Sequence, residues 1–456
     1  MRKKISRREF VSSAVAGAAL AGALGKTTCA APTARPNVLY IMADDMGWGD
    51  LSCYGRPDYR TPNLDRLASQ GVRFAQAYSA SPVCTPTRCA FVTGRYPART
   101  AVGLEEPLAW RKQLEQEKRD VGLPPEHPTV ASLLKANGYH TSLVGKWHLG
   151  YLPKYSPVKS GFDEFFGIMS GGADYFTHKD ANGEGDLFEM EVPVERVGYT
   201  TDLLTGRAVE FLRRRHDGPF LLSLNYTAPH WPWEGPRDEQ ASLAPKPAGY
   251  GGMTAGGSLK IYAEMIRSLD EGVGRVLGAL DSAGLARTTL VVFTSDNGGE
   301  RFSFNWPFTG GKFQLFEGGI RVPAILRWPG VVPAGRTTPQ VAITMDWTAT
   351  ILAAAGADAH PSYPLDGVDL LPVARGARPA FERTLFWRNG GQGAARAGDW
   401  KYLKVDDKTE RLFDLSVDER EQADFRGARP REFERLRGEY VKWDAQMLKR
   451  PQRGVG

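Results

Sequence analysis

The stretch Asn37-Val38-Leu39-Tyr40-Ile41-Met42-Ala43-Asp44-Asp45 is a short apolar run that stops on two carboxylates, and four further runs share its texture. These are Thr141 to Val144, Phe220 to Asn225, Leu290 to Ser295 and Val322 to Trp328. Continuous apolar runs of this length read as strands buried on both faces. Between them, Asn63 to Ser69, Thr129 to Ala136, Thr201 to Arg215 and Leu259 to Ser282 read as helices. The last is the clearest, with Ile261, Ile266, Leu269, Val273, Val276, Leu277 and Leu280 recurring at helical spacing. Strands alternating with helices predict an α/β architecture: a large, mostly parallel sheet covered by helices on both faces.

In open parallel sheets the ligand site lies just beyond the carboxyl ends of the strands. Asp44 and Asp45 follow the first run directly, Lys146 and His148 the second, His230 the third, and Asp296 and Asn297 the fourth. Any one of these is an ordinary turn residue. Four strands delivering polar groups to one edge are harder to explain without a site. Asp44, Asp45, Asp296 and Asn297 supply three carboxylates and an amide, hard oxygen donors that suit Ca²⁺ or Mg²⁺ better than zinc. Carboxylates this close would raise one another's pKa values, so a divalent cation is the natural way to keep them ionised.

A second stretch, Ser81-Pro-Val-Cys84-Thr-Pro86-Thr-Arg88-Cys89 with Thr93-Gly94-Arg95 beyond it, reads as a buried loop feeding a helix. A cysteine there is most simply a small hydrophobe. The C-x-P-x-R order of Cys84, Pro86 and Arg88, however, resembles the signature of the type I sulfatases, whose cysteine is oxidised to formylglycine. Six further stretches agree in order: Ala43 to Asp50, Thr61-Pro-Asn-Leu-Asp65, Gly145-Lys-Trp-His-Leu-Gly150, Ser295-Asp-Asn-Gly-Gly299, Gly310-Gly-Lys312 and Glu317-Gly-Gly-Ile-Arg-Val-Pro323. From Asn37 nearly to its end the chain is similar to the sulfatases of the alkaline phosphatase superfamily, and most similar to their arylsulfatase A and galactosamine 6-sulfatase branch.

That resemblance implies hydrolysis of sulfate esters, of sulfated carbohydrates and of aryl sulfates, with formylglycine 84 and Ca²⁺ as cofactors and a formylglycine-generating maturation enzyme as partner. It casts Asp44, Asp45, Asp296 and Asn297 as ligands of the ion, joined by the converted Cys84. Arg88 and Lys146 would hold the modified side chain and Lys312 would grip the sulfate. By the same analogy one hydroxyl of the aldehyde hydrate attacks sulfur, His230 protonates the leaving alcohol with help from Lys312, and His148 serves as the base that lets the second hydroxyl expel sulfate. A site of guanidinium, ammonium and divalent ion suits a substrate that is anionic and gains charge on its leaving oxygen. The alternative on the same scaffold is a phosphate or phosphonate monoester hydrolase. A carbohydrate-binding protein that leaves Cys84 unoxidised, and zinc binding by Cys84 and Cys89, are weaker alternatives, the latter because paired ligand spacings are missing. Trp231 and Trp233 beside His230 are candidates for stacking on a sugar ring.

Residues 1–31 form a leader. Arg2, Lys3, Lys4, Arg7 and Arg8 precede a mildly apolar run from Phe10 to Leu24 and small residues at Ala30-Ala31. Arg7-Arg8 in Ser-Arg-Arg-Glu-Phe resembles a twin-arginine export signal, so twin-arginine export machinery becomes an expected partner and the periplasm or the exterior the expected location. The apolar run is too short to span a bilayer, so no stable membrane span is expected. The leader holds six basic residues and one acid, so the formal +6 of all 456 residues falls to +1 without it. No nucleic-acid partner is implied. Cys53, Cys84 and Cys89 are then too few for a disulfide framework. A chain this long exceeds one core, and two domains are expected: 36–378 for catalysis, and 379–456 as a small α+β domain. In the latter, Thr384 to Trp387, Trp400 to Val405 and Arg411 to Leu415 read as an antiparallel sheet before a helix from Pro430 to Met447. The Gly-rich stretches Gly171 to Gly185 and Gly235 to Gly257 are long enough to rim a substrate.

Overall fold

The computed structural model describes residues 35–104, 121–244 and 249–450, so the leader lies outside the described residues. Every side chain of β1 (Asn37–Ala43) is buried. Alternation divides the strand between two cores: Leu39, Ile41 and Ala43 enter one, and Val38, Tyr40 and Met42 the other. The strands that follow are β2 (Val72–Tyr78), β3 (His140–Gly145), β4 (Glu164–Ile168), β5 (Leu187–Glu189), β6 (Val192–Pro193), β7 (Phe220–Asn225), β8 (Thr289–Ser295), β9 (Arg321–Arg327), β10 (Arg336–Thr338) and β11 (Ala342–Ile343). They form one sheet in the order β10-β2-β9-β8-β1-β7-β3-β4-β5-β6, with β11 also paired to β2. The central block β8-β1-β7-β3-β4 is parallel throughout. Antiparallel pairs flank it, β9 against β8 and β2 on one side and the β4-β5-β6 meander on the other.

Helices α1 (Pro62–Ser69), α4 (Thr200–Arg213) and α5 (Leu259–Ser282) cover the first face of this sheet. Helices α2 (Cys84–Thr93), α3 (Val130–Ala136) and α6 (Thr344–Ala355) cover the second. The expected five strands and four helices are all present, with ends shifted by no more than two residues. β2, the meander strands and α6 went unread in the sequence. α6 is buried nearly all round, so it shows no polar stripe against which a helical period could be seen.

A second sheet of β12 (Thr384–Asn389), β13 (Gln392–Ala397), β14 (Trp400–Lys404) and β15 (Glu410–Asp414) is antiparallel in sequence order. The expected terminal helix, α7 (Pro430–Asp444), ends at Asp444 rather than Met447. An apolar cluster joins Leu385, Trp387 and Tyr402 of this sheet and Leu436 and Trp443 of α7 to Tyr78, Ala90 and Ile320 around the large one. Trp387 is 1% exposed and its indole donates to the Ser79 carbonyl at 2.8 Å. Cutting it to alanine is expected to cost about 3–5 kcal/mol.

Candidate active site

The four strands that deliver polar residues, β8, β1, β7 and β3, are adjacent in the sheet and run the same way, so their carboxyl ends form one edge. Backbone bonds tie the segments leaving it together: the Asp44 amide donates to Ala228 O, the Asp296 amide to Ala43 O and the Lys146 amide to Asn225 O. Over this edge α2 brings Cys84 and Arg88, held down by Phe91 stacked on Tyr40 of β1 at 3.6 Å between ring centroids. No side chain caps the start of α2, where Cys84 is the first residue, so the positive end of the helix faces the cluster.

All ten residues expected at this site converge, and all are buried. Cys84 Sγ lies 3.5 Å from Asp44 Oδ1 and 4.0 Å from Asp45 Oδ1. Asp44 Oδ2 accepts from Lys146 Nζ at 2.7 Å, and Asp45 Oδ2 from Lys312 Nζ at 2.7 Å. Arg88 grips Asp296 Oδ2 through Nε at 3.1 Å and through a terminal nitrogen at 2.8 Å. His230 Nε2 stands 3.6 Å from Asp45 Oδ2, while its Nδ1 meets the Trp231 carbonyl at 2.6 Å. Asn297 donates to Asp45 Oδ1 at 2.7 Å and leaves its own Oδ1 buried without a hydrogen-bond partner.

This geometry sets the protonation states. Burial and repulsion from Asp296, against the pull of Lys146 and Arg88, push Asp44 up to about 7. Burial works the same way on Asp296, yet Arg88 and Lys146 win there and hold it below the usual carboxylate range. Burial lowers the imidazoles of His148 and His230 well below the ordinary value, helped by Lys146 at the first and Lys312 at the second. Burial opposes the charge on Lys312, but Asp45 outweighs it and keeps the ammonium protonated. Burial and the field of Asp296 keep the Cys84 thiol neutral, so as an unmodified residue it is a poor nucleophile.

The oxygen donors of the cluster fit a hard divalent cation, and the Cys84 sulfur and His230 nitrogen beside them are softer donors. One ligand atom each from Asp44, Asp45, Cys84 and His230 lie within 4.8 Å of one another, and the orphaned Asn297 Oδ1 is an unused oxygen donor beside them. Asp296, also expected as a ligand, is turned toward Arg88 and the Asp45 amide. Three carboxylates face three fixed cations here, so adding a divalent ion leaves the site positive and ready for an anion.

Several contributors had no sequence signal. A Cβ on Gly171 would come within 2.8 Å of His148 Nε2, and one on Gly172 within 2.8 Å of the His230 ring, so only bare backbone fits against both imidazoles. This wall belongs to the Gly-rich stretch expected to rim the substrate, and Asp186 pins it through the Met169 and Ser170 amides. Thr85 donates to the His148 carbonyl at 3.1 Å. Asp45 and His148 both hold φ above +50°, a costly conformation for such residues and one that clusters at functional sites. Trp231 is half-buried beside His230, whereas Trp233 is buried against Phe302 and cannot stack on a sugar.

Comparison with known proteins agrees with this geometry. The Sulfatase family profile matches residues 36–357. N-acetylgalactosamine-6-sulfatase from Sus scrofa is 36% identical over 402 residues, covering 84% of this chain and 73% of that one. Steryl-sulfatase from Mus musculus is 35% identical over 431 residues, covering 76% of this chain and 66% of that one. The crystal structure of Ps i-CgsB in complex with k-i-k-neocarrahexaose superposes with a TM-score of 0.80 at 32% identity, over 92% of this chain and 94% of that one. The chain belongs to the sulfatase family, within the alkaline phosphatase superfamily, and is a sulfuric ester hydrolase.

Proposed function

We propose that this sulfatase works through formylglycine made from Cys84, with Ca²⁺ as its resident ion and sulfated carbohydrates as its substrates. The observation that carries the reading is the placement of residue 84: its Sγ is 3.5 Å from a carboxylate of a buried oxygen cluster that retains an unused amide oxygen. That sulfur occupies the place an aldehyde hydrate oxygen would take after oxidation. A divalent ion held by Asp44, Asp45, Asp296 and Asn297 would polarise the hydrate and offset the charge of the sulfate.

The remaining roles belong to the chain's own groups. Asp296, held ionised by Arg88, would be the proton acceptor beside residue 84. Lys146 neutralises Asp44 and Arg88 neutralises Asp296, and Lys312, paired with Asp45, would grip the sulfate oxygens. His230, neutral in the free site, would be charged when the anionic substrate raises its pKa, and would then, with Lys312, protonate the departing alcohol. His148, kept neutral by burial and by Lys146, would serve as the base of the site.

A carbohydrate substrate is supported by two things. The half-buried Trp231 ring lies 6.0 Å from Lys312 Nζ, and the closely superposing Ps i-CgsB was crystallised with an oligosaccharide. Export by the twin-arginine route to the periplasm or beyond is part of the proposal and rests on Arg7-Arg8; among the described residues no helix is long and apolar enough to cross a membrane. A maturation enzyme must act on Cys84 before folding buries it, which a folded-protein export route permits. Sulfate release from defined sulfated sugars and aryl sulfates, set against phosphate release from aryl phosphates on one preparation, tests the reading. Preferential cleavage of sulfated sugars supports it, and faster phosphate release would favour the phosphomonoesterase alternative.

A further inference from the structure

Lys312 sits on a segment between β8 and β9 that has no regular structure before the short turn of helix at Glu317–Ile320. An ammonium at the end of four rotatable bonds goes where its backbone is held. Phe313, the next residue, has φ +73° and is 46% exposed. A bulky residue in this region costs about 1–3 kcal/mol and persists only where its surroundings over-determine it.

Those surroundings come largely from the second sheet. The Phe313 carbonyl accepts from Asn389 Nδ2 at 3.1 Å and from Gln392 Nε2 at 2.8 Å. Gln392 Oε1 in turn accepts from the Leu315 amide at 3.0 Å, so one side chain braces the loop at two points. Asn389 and Gln392 face each other across the tip of the β12-β13 hairpin. The turn after β15 adds anchors at both ends of the loop: Thr309 Oγ1 donates to Arg420 O at 2.6 Å, and the Glu317 amide to Glu421 Oε2 at 2.6 Å. On its other side the Phe313 amide donates to Pro82 O at 2.9 Å, two residues before Cys84.

We infer that the tip of the β12-β13 hairpin, through Asn389 and Gln392, is a positioning device for Lys312. It fixes the distance between that ammonium and residue 84 from a sheet that carries no reacting group. The inference rests on the role proposed above for Lys312. Misplacing a participating group by about 1 Å can cost on the order of 100-fold in rate.

The test compares matured full-length enzyme with Asn389→Ala/Gln392→Ala, in wild-type and Lys312→Ala backgrounds, on an aryl sulfate. The expected loss in kcat/KM is about 10–100-fold in the wild-type background. It should shrink below about twofold in the Lys312→Ala background, because the pair acts through a group already removed. Melting temperatures should stay close to that of the parent, as both side chains are partly exposed. Should the double variant fail to fold, Asn389→Ala alone gives the smaller form of the same comparison. An equal loss in both backgrounds, or no loss in either, overturns the inference while leaving the proposed function standing. Wild-type turnover by Lys312→Ala itself would overturn the role of Lys312, and the positioning device with it.

Discussion

Two of the buried charge groups among the described residues are built differently. At the edge of the large sheet, Asp44, Asp45 and Asp296 meet Arg88, Lys146 and Lys312, and one amide oxygen of Asn297 is left over. Between the two sheets, Glu317 and Glu421 close on Lys401 at 2.9 and 2.8 Å, with the Tyr78 hydroxyl donating to Glu317. Both are buried, and both crowd carboxylates. What separates them is the cysteine in the first, its amide oxygen with neither hydrogen bond nor ion pair where Glu421 Oε1 in the second is spent on Lys401, and its place where parallel strands end. Burial and ion pairing therefore do not mark a catalytic centre by themselves; unspent ligand capacity at a strand edge does.

The largest expected effect breaks the comparison from the catalytic side. Cys84→Ala should lower kcat by at least about 10⁴-fold, more than 5 kcal/mol in barrier height, since it removes the nucleophile. Its unfolding curve should change much less than its rate. Residual activity within tenfold of the parent would show that residue 84 does not carry the chemistry.

Lys401→Met should do the reverse. It leaves Glu317 and Glu421 buried without their shared cation, so unfolding in urea should show a loss of about 3–5 kcal/mol. Surviving folded enzyme should retain the wild-type dependence on leaving group. A loss under about 1 kcal/mol would mean that this second cluster is not the fastener between the sheets that its geometry describes.

Calcium sharpens the contrast further. Ca²⁺ at about 100 times its Kd should stabilise the protein by about 2.7 kcal/mol, and chelation should remove both that gain and the activity. Asn297→Leu, which deletes the spare oxygen, should shrink the calcium-dependent shift in melting temperature, whereas Lys401→Met should not. Activity indifferent to chelation would separate the oxygen cluster from any metal.

The smallest effect is a pH dependence. Burial, opposed by Lys401 and reinforced by Glu317, pushes Glu421 up to about 7. In the unfolded chain its carboxyl titrates at about 4.3, so between there and about 7 the native state holds a proton that the unfolded state has released. Stability therefore falls as pH rises through that window. Glu421→Gln cannot titrate, so from pH 4.5 to 7.5 it should gain on the order of 1–3 kcal/mol relative to the parent. Parallel stability curves would place the titration elsewhere; Asp44 and Asp186, also pushed up to about 7, contribute equally in both proteins.

Much of the catalytic edge was legible in the sequence because its signal is local. An apolar run such as Val38 to Met42 fixes a buried strand, and the residues just beyond it fix what stands at the edge. The cysteine loop and its companion stretches added the identity of the reacting group. What stayed hidden depends on contacts remote in the chain. Gln392 reaches residues 313 and 315, nearly eighty positions away, from a strand of small side chains, Gln-Gly-Ala-Ala-Arg-Ala, that lacks the branched and aromatic residues by which strands are read. Gly171 and Gly172 look like loop formers until the imidazoles beside them are seen. Glu421, in a turn at φ +56°, reads as a solvated acid and is 1% exposed.

The central claim is chemical, and peptide mass analysis of active, exported enzyme addresses it most directly. The account predicts that the peptide containing residue 84 carries an aldehyde in place of the thiol, with turnover proportional to the converted fraction. Full activity from protein whose Cys84 is entirely an intact thiol would contradict it.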